Sequence, residues 1–179
     1  HPLATISKDF DWQAKALLAD IEKKQGKHTH LSIAIQVSDA TFDLAKDQIT
    51  AIKQVFSKHP GGYSIVAVSE SMSDQLTSKN AWIKVFQQHK NINVAINLAG
   101  ENAIGCVDAR TYLKRKDAML IYAVDDMKET IDYIKQGKID GSVVTSFYQY
   151  GYEAVYLLYD YVTEHKKPQK DRMASRMVL

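Results

Sequence analysis

Cys106 is the only cysteine in 179 residues. No intrachain disulfide can form, and no site built from several thiolates can hold a metal. Long hydrophobic runs are also missing: "LSIAIQV" and "INVAINLA" fall far short of the roughly 20 residues that a membrane-spanning helix needs. Neither sign of charge dominates, because 23 Lys and Arg against 21 Asp and Glu leave a net charge of +2. The two signs are mixed along the chain, and nothing resembles the dense basic stripe of a nucleic-acid surface. No signal-peptide pattern, short-period repeat or low-complexity segment is visible. The chain begins at His1 without an initiator Met, which reads as a processed protein or an excised piece. What remains is the composition of an ordinary globular domain, 45% hydrophobic and 25% charged. That length is enough to bury one core.

Short apolar runs alternate with amphipathic ones. Asp9 or Asp11 caps a first helix through "WQAKALLADIEKKQGK", stopped by Gly26. Leu31–Val37 reads as a strand, and Thr41 opens a helix in which Phe42, Ala45, Ile49, Ile52 and Phe56 recur at three and four. Tyr63–Ser69 is the next strand, followed by a helix with Leu76, Trp82, Ile83 and Phe86 facing inward. The alternation continues with strands at Ile92–Leu98, Ala118–Val124 and Gly141–Ser146. Helices fall in "GENAIGCVDARTYLKR", "MKETIDYIKQG" and "YGYEAVYLLYDYVTEH". "KKPQKDR" is a polar linker, and "MASRMVL" is a candidate final strand. This pattern predicts an α/β fold: a doubly wound, mainly parallel sheet with helices on both faces, in three layers like flavodoxin.

Ligands of such sheets sit beyond the carboxyl ends of the strands. The residues there are Ser38-Asp39, Ser69 to Ser73, Asn97-Leu98-Ala99, Asp125-Asp126 and Thr145-Ser146. Catalytic and metal-binding patterns are missing: there is no G-x-S-x-G, no Walker A, no G-x-G-x-x-G and no H-E-x-x-H. Cys106 sits mid-helix between apolar neighbours and reads as core. His28-Thr29-His30 reads as a solvated turn rather than a metal site. No catalytic residue, metal or cofactor is expected, and the chain does not read as an enzyme.

The segment "DDMKETIDYIKQGKIDGSVVTSFYQYGYEAVYLLYDYV" resembles the C-terminal lobe of type I periplasmic binding proteins, the ribose- and galactose-binding group. Lactose-repressor-family effector domains share that fold. "ISKDF" and "NLAGENAIG" agree with the family in order, so the resemblance covers nearly the whole chain. It implies that residues 1–179 form one lobe, the C-terminal half of a two-lobed protein whose N-terminal lobe is absent. It further implies a small polar ligand, with a sugar among the candidates, clamped by lobe closure. The partners implied are a sugar-type ABC importer or a membrane sensor kinase, together with the N-terminal lobe, with no direct nucleic-acid contact by this lobe. The location implied is extracytoplasmic. The alternative is the effector domain of a lactose-repressor-like regulator, which would be cytoplasmic. Carried over residue by residue, Asp125 matches the strand-end carboxylate that accepts from ligand hydroxyls. Gln48 falls where relatives place Arg, Thr145 where they place Gln or Asn, and Ser73 near a position often aromatic. Asn97 lies at the third strand end, where Ala99 and Gly100 replace an Asn-Asp pair. Phe10 offers a stacking face near the start of the lobe. Six of the ten tyrosines crowd residues 148 to 161. Ala154, Val155, Leu158 and Val162 are expected to face the sheet, with Tyr152, Tyr156 and Tyr159 flanking them as core wall.

Overall fold

The computed structural model describes residues 6–167 and the backbone of 176–178. The elements run α1 (Phe10–Gln25), β1 (Leu31–Val37), α2 (Asp43–Phe56), β2 (Tyr63–Glu70), α3 (Gln75–Gln88) and β3 (Val94–Asn97). They continue with α4 (Asn102–Tyr112), β4 (Leu120–Val124), α5 (Lys128–Lys135), β5 (Gly141–Val144), α6 (Phe147–Glu164) and β6 (Arg176–Val178). The strands form one sheet in the order β2-β1-β3-β4-β5-β6. All pairings are parallel except that of β5 with β6. Arg176–Val178 thus supplies the expected last strand, while most of the polar linker before it lies outside the described residues.

Strand pleating divides the core into two layers. Leu31, Ile33, Ile35 and Val37 of β1 pack with Val94, Ile96, Tyr122 and Val124 against α1 and α2. On the other face Ala34, Ala95, Ile121 and Ala123 lie under Trp82, Phe86, Cys106 and Val107 of α3 and α4. Successive side chains point to opposite faces, so apolar strands of this kind need cover on both. The alanines on the second face leave room for the large Trp82 and for close helix packing. There α3 and α4 approach so tightly that a Cβ on Gly105 would lie 2.7 Å from Ser78 Cβ and 2.8 Å from the Lys79 nitrogen. Gly105→Ala is therefore expected to cost about 1–3 kcal/mol by overpacking, read as a lower urea midpoint at unchanged slope.

Three inward assignments are corrected. Phe42 and Leu76 are exposed, because each stands at a helix start beyond the edge of the sheet. The third concerns α6, which contributes no buried residue. Val155 is 65% exposed and Val162 69%, and Leu158, Tyr152, Tyr156 and Tyr159 are exposed as well. The stripe is real, but it does not lie on the sheet. Thr41 is likewise not the cap of α2: Phe42 holds that position without a side-chain bond. Asp9 does cap α1, accepting from the Trp12 nitrogen, and Gly26 ends that helix at φ 88°. Among the described residues no helix is long and apolar enough to cross a membrane.

Three aspartates that organise these loops hold their carboxyls below the ordinary range. Asp39 accepts from the Thr41 hydroxyl and nitrogen, Asp74 from those of Thr77, and Asp117 from the Arg115 guanidinium. Each therefore binds its proton less tightly folded than unfolded. Their stabilisation is present above the unfolded carboxylate range near 4 and is lost as pH falls through the lower folded values. Urea midpoints should fall between about pH 5 and about pH 2, and less steeply in an Asp39→Asn, Asp74→Asn, Asp117→Asn variant.

Candidate ligand-binding cleft

The strand order reverses at β1: the chain moves from β1 out to β2, then returns to lay β3 on the other side of β1. Loops leaving β1 and β3 therefore part, and a crevice opens between the carboxyl ends of those strands. A cleft of about 160 Å³ occupies this place. Val37, Ser38 and Asp39 line it from β1, Leu98 to Gly100 from β3, and Asp125 from β4. Phe42, Leu44, Ala45 and Gln48 close it from the α2 side, and Lys8 reaches in from the segment before α1.

Asp125 is held in a strained backbone state, φ 66°, immediately after β4. Asp tolerates the left-handed region better than most residues, though such outliers persist only where their surroundings fix them. Here the Asp125 nitrogen donates to the Val143 carbonyl at 2.9 Å, and the Ser142 hydroxyl donates to the Asp125 carbonyl at 2.6 Å. The carboxylate is thereby aimed at the cleft, where the Lys8 ammonium donates to it at 3.3 Å. The pair is sheltered, with side chains 14% and 23% exposed. One long contact leaves most of the carboxylate's acceptor capacity and two of the ammonium protons for other partners.

Gln48 is the second unusual residue. It sits on the inner face of α2, 2% exposed, in helical register with Ala45 and Ile52. Its Nε2 donates to nothing among the described residues. A buried amide without an acceptor is costly, about 1–3 kcal/mol, unless something outside the chain meets it. Gln48 and Lys8 thus offer donors, while Asp39 and Asp125 offer acceptors. A molecule carrying several hydroxyls satisfies both kinds, since each hydroxyl donates once and accepts twice.

The remaining sequence candidates separate. Ser73 stands in the loop after β2, φ 56°, and its hydroxyl meets that of Ser38 at 2.5 Å, tying that loop to the rim of the cleft. Thr145 is buried at the end of β5, with its hydroxyl beside the Tyr150 phenol. Near it the Tyr150 phenol is pushed above its ordinary range, chiefly by burial and to a smaller extent by the Asp125 charge. Asn97 does not line the cleft: its Oδ1 accepts from Trp82 Nε1 at 3.0 Å and its Nδ2 donates to the Tyr122 carbonyl at 3.0 Å. Phe10 packs at the margin of the α1/α2 core layer, as does Trp12. Sequence reasoning missed Lys8. Lys8 lies in the quoted "ISKDF", one residue before the α1 cap, but nothing in the sequence aligned it with Asp125.

Two other reactive side chains are sealed or occupied. Cys106 is fully buried, and that burial pushes its thiol far above the ordinary range. It is expected to stay unmodified by a thiol reagent until the protein is unfolded. His30 turns its ring nitrogens to the Gly61 carbonyl and the Ser64 hydroxyl, each at 3.2 Å.

The fold has known counterparts. GanP, a glucose-galactose binding protein from Geobacillus stearothermophilus, superposes with a TM-score of 0.87 at 19% identity, over 99% of this chain and 62% of its own. A sugar-binding protein of a sugar ABC transporter from Bacillus halodurans gives 0.86 at 15%, over 99% and 64%. The fructose-binding periplasmic domain of a hybrid two-component system gives 0.80 at 14%, over 98% and 60%. The chain thus spans about three fifths of the length of these proteins. Curated protein sequences give no match. Residues 2–167 match the sequence pattern of the periplasmic binding protein domain, and with that span the chain belongs to the periplasmic binding protein domain family.

Proposed function

We propose that this chain is the C-terminal lobe of a two-lobed, extracytoplasmic solute-binding protein that clamps a small polyhydroxylated ligand, a sugar or a related polyol. The observation that carries the reading is the cleft at the β1/β3 switch point, where Asp125, Lys8 and a Gln48 amide nitrogen that meets no acceptor among the described residues converge. Its donors and acceptors suit hydroxyl groups rather than an apolar or purely ionic ligand. Structural relatives described as binding glucose-galactose and fructose support the same class.

The exposed apolar residues support a second lobe. Phe42, Leu44, Met72, Met127 and Phe147 are all exposed, and all belong to segments leaving the carboxyl ends of the strands. With α6, which starts at that edge, they make the surface in and around the cleft largely apolar, which marks a surface built to be covered. A second lobe closing there would complete the site, and ligand would act by favouring the closed state. Delivery to an ABC importer or signalling to a sensor kinase are both consistent with this mechanism.

The test is calorimetric titration of the two-lobed protein with a panel of pentoses, hexoses and cyclic polyols. One member should bind with micromolar affinity or better, and X-ray scattering should register a smaller radius of gyration on binding. The isolated lobe should bind the same sugar at least tenfold more weakly, because half of the hydrogen bonds and the water exclusion are gone. A two-lobed protein that ignores the whole panel would overturn the reading.

A further inference from the structure

The amino edge of the sheet, opposite the cleft, carries a second concave site. An open depression of about 380 Å³ lies where the end of α4 meets the turn between α5 and β5. Arg110, Lys114, Arg115, Lys116 and Lys138 line it together with Thr111, and no carboxylate does. A chain whose charges otherwise nearly cancel has gathered five cations here. A cation or two at a helix C-terminus is ordinary, since they oppose the negative end of the helix dipole. Five around one hollow exceed that need and repel one another.

The groups are also unequally satisfied. Arg110 donates to the carbonyls of Asp117 and Met119. Arg115 is forked onto the Asp117 carboxylate at 2.9 and 2.7 Å, and its guanidinium lies 4.7 Å from the centre of the Phe86 ring. These contacts hold the two guanidiniums in place. The Arg115 Nη1 is nevertheless buried and has no acceptor among the described residues. Lys138 rests over the Tyr133 ring, while Lys114 and Lys116 meet no carboxylate among the described residues. Lys114 is set at φ 52°, where its nitrogen closes the helix end onto the Thr111 carbonyl. Thr111 donates its hydroxyl proton to the Val107 carbonyl, so the cations carry the site: two fixed guanidiniums and three adaptable ammoniums match an oxyanion with several acceptor oxygens.

We infer that this depression binds a phosphate group, carried by a soluble phosphate ester or by an anionic lipid headgroup. It is separate from the cleft: the two lie at opposite ends of the strands and share no lining residue. Phosphate binding here would leave the cleft free to take its own ligand.

The experiment uses the full-length protein and a Lys114→Gln, Lys116→Gln, Lys138→Gln variant, whose three side chains are exposed and contribute nothing to the core. Inorganic pyrophosphate is titrated by calorimetry at low salt, and flotation is measured with phosphatidylcholine vesicles with and without phosphatidylglycerol. The wild type should bind one of these phosphate probes, and the variant at least about tenfold more weakly. Pyrophosphate binding without flotation assigns a soluble phosphate ester. Flotation only with phosphatidylglycerol, competed by pyrophosphate, assigns a headgroup. Sugar titration of the cleft should be the same in both proteins. Absence of binding to either probe, equal binding by wild type and variant, or tenfold tighter binding of polyglutamate than of pyrophosphate would each overturn the inference.

Discussion

Asp125→Asn should weaken sugar binding by the two-lobed protein roughly 10- to 100-fold, the worth of one or two hydrogen bonds to a charged acceptor. Asparagine is the informative substitution. The backbone at this position is left-handed, φ 66°, and Asn occupies that region as readily as Asp. The bonds to Val143 and Ser142 involve only main-chain atoms of Asp125 and survive the change. What is lost is the charge, one acceptor oxygen, and the ion pair with Lys8. Asp125→Ala should reduce affinity at least as much. Alanine also carries the cost of an unfavourable φ, so its melting temperature should fall further than that of the Asn variant. Lys8→Met separates the two members of the pair. If Lys8 only neutralises Asp125, affinity rises or holds when it is removed; if its free ammonium protons reach the ligand, affinity falls alongside that of Asp125→Asn. Unchanged affinity in Asp125→Asn, measured by calorimetry, would remove Asp125 from the site.

The layer architecture was legible because both of its signals are strong. Strands β1 to β5 read as apolar runs, helices α1 to α5 as amphipathic segments, and their strict alternation leaves few topologies besides a parallel, two-sided sheet. Boundaries moved by one to three residues, as at β3, which is shorter than the run Ile92–Leu98, and at α6, which starts at Phe147 rather than Tyr150. The error at α6 had a different origin. Ala154, Val155, Leu158 and Val162 do recur at helical spacing, and periodicity shows that a face is meant to be covered. It does not say by what, and in this chain the sheet is not the cover.

The site was legible in part for a related reason. Asp125 follows the last residue of its strand, where the chain has already left the sheet and its side chain is free to enter the crevice. Asn97 is the last residue of its own strand and still obeys the pleat, which turns it to the α3 side. A shift of one residue decides between cleft and core, and sequence alone does not fix strand ends that finely. Gln48 carried a local sign: a polar residue at the register of Ala45 and Ile52, on a stripe that is otherwise apolar. Lys8 carried none, since its meeting with Asp125 spans 117 residues of sequence.

Trp82→Ala should be the most destabilising single substitution proposed here, at about 3–5 kcal/mol. Trp82 is fully buried between α3 and the sheet, stacked on Phe86 with ring centres 5.1 Å apart. The alanines beneath it, Ala34, Ala95 and Ala123, cannot grow to fill the space it would leave. Its indole nitrogen also holds Asn97, which in turn binds the Tyr122 carbonyl and so joins β3 to β4 next to the cleft. Trp82→Phe preserves much of the packing but orphans the Asn97 oxygen, so its cost should be smaller, about 1–3 kcal/mol. For a domain of this size the alanine variant should melt roughly 10 °C lower, and the phenylalanine variant about 5 °C lower. Asn97→Ala links this to function. If Asn97 belongs to the Trp82 network, the variant loses stability and, below its melting temperature, binds sugar with unchanged affinity. If Asn97 reaches the ligand instead, affinity falls while the melting temperature holds. The hydrogen bonds at 3.0 Å on both ends of its amide predict the first outcome. They make Trp82 and Asn97 the support on which the β3 side of the cleft is built.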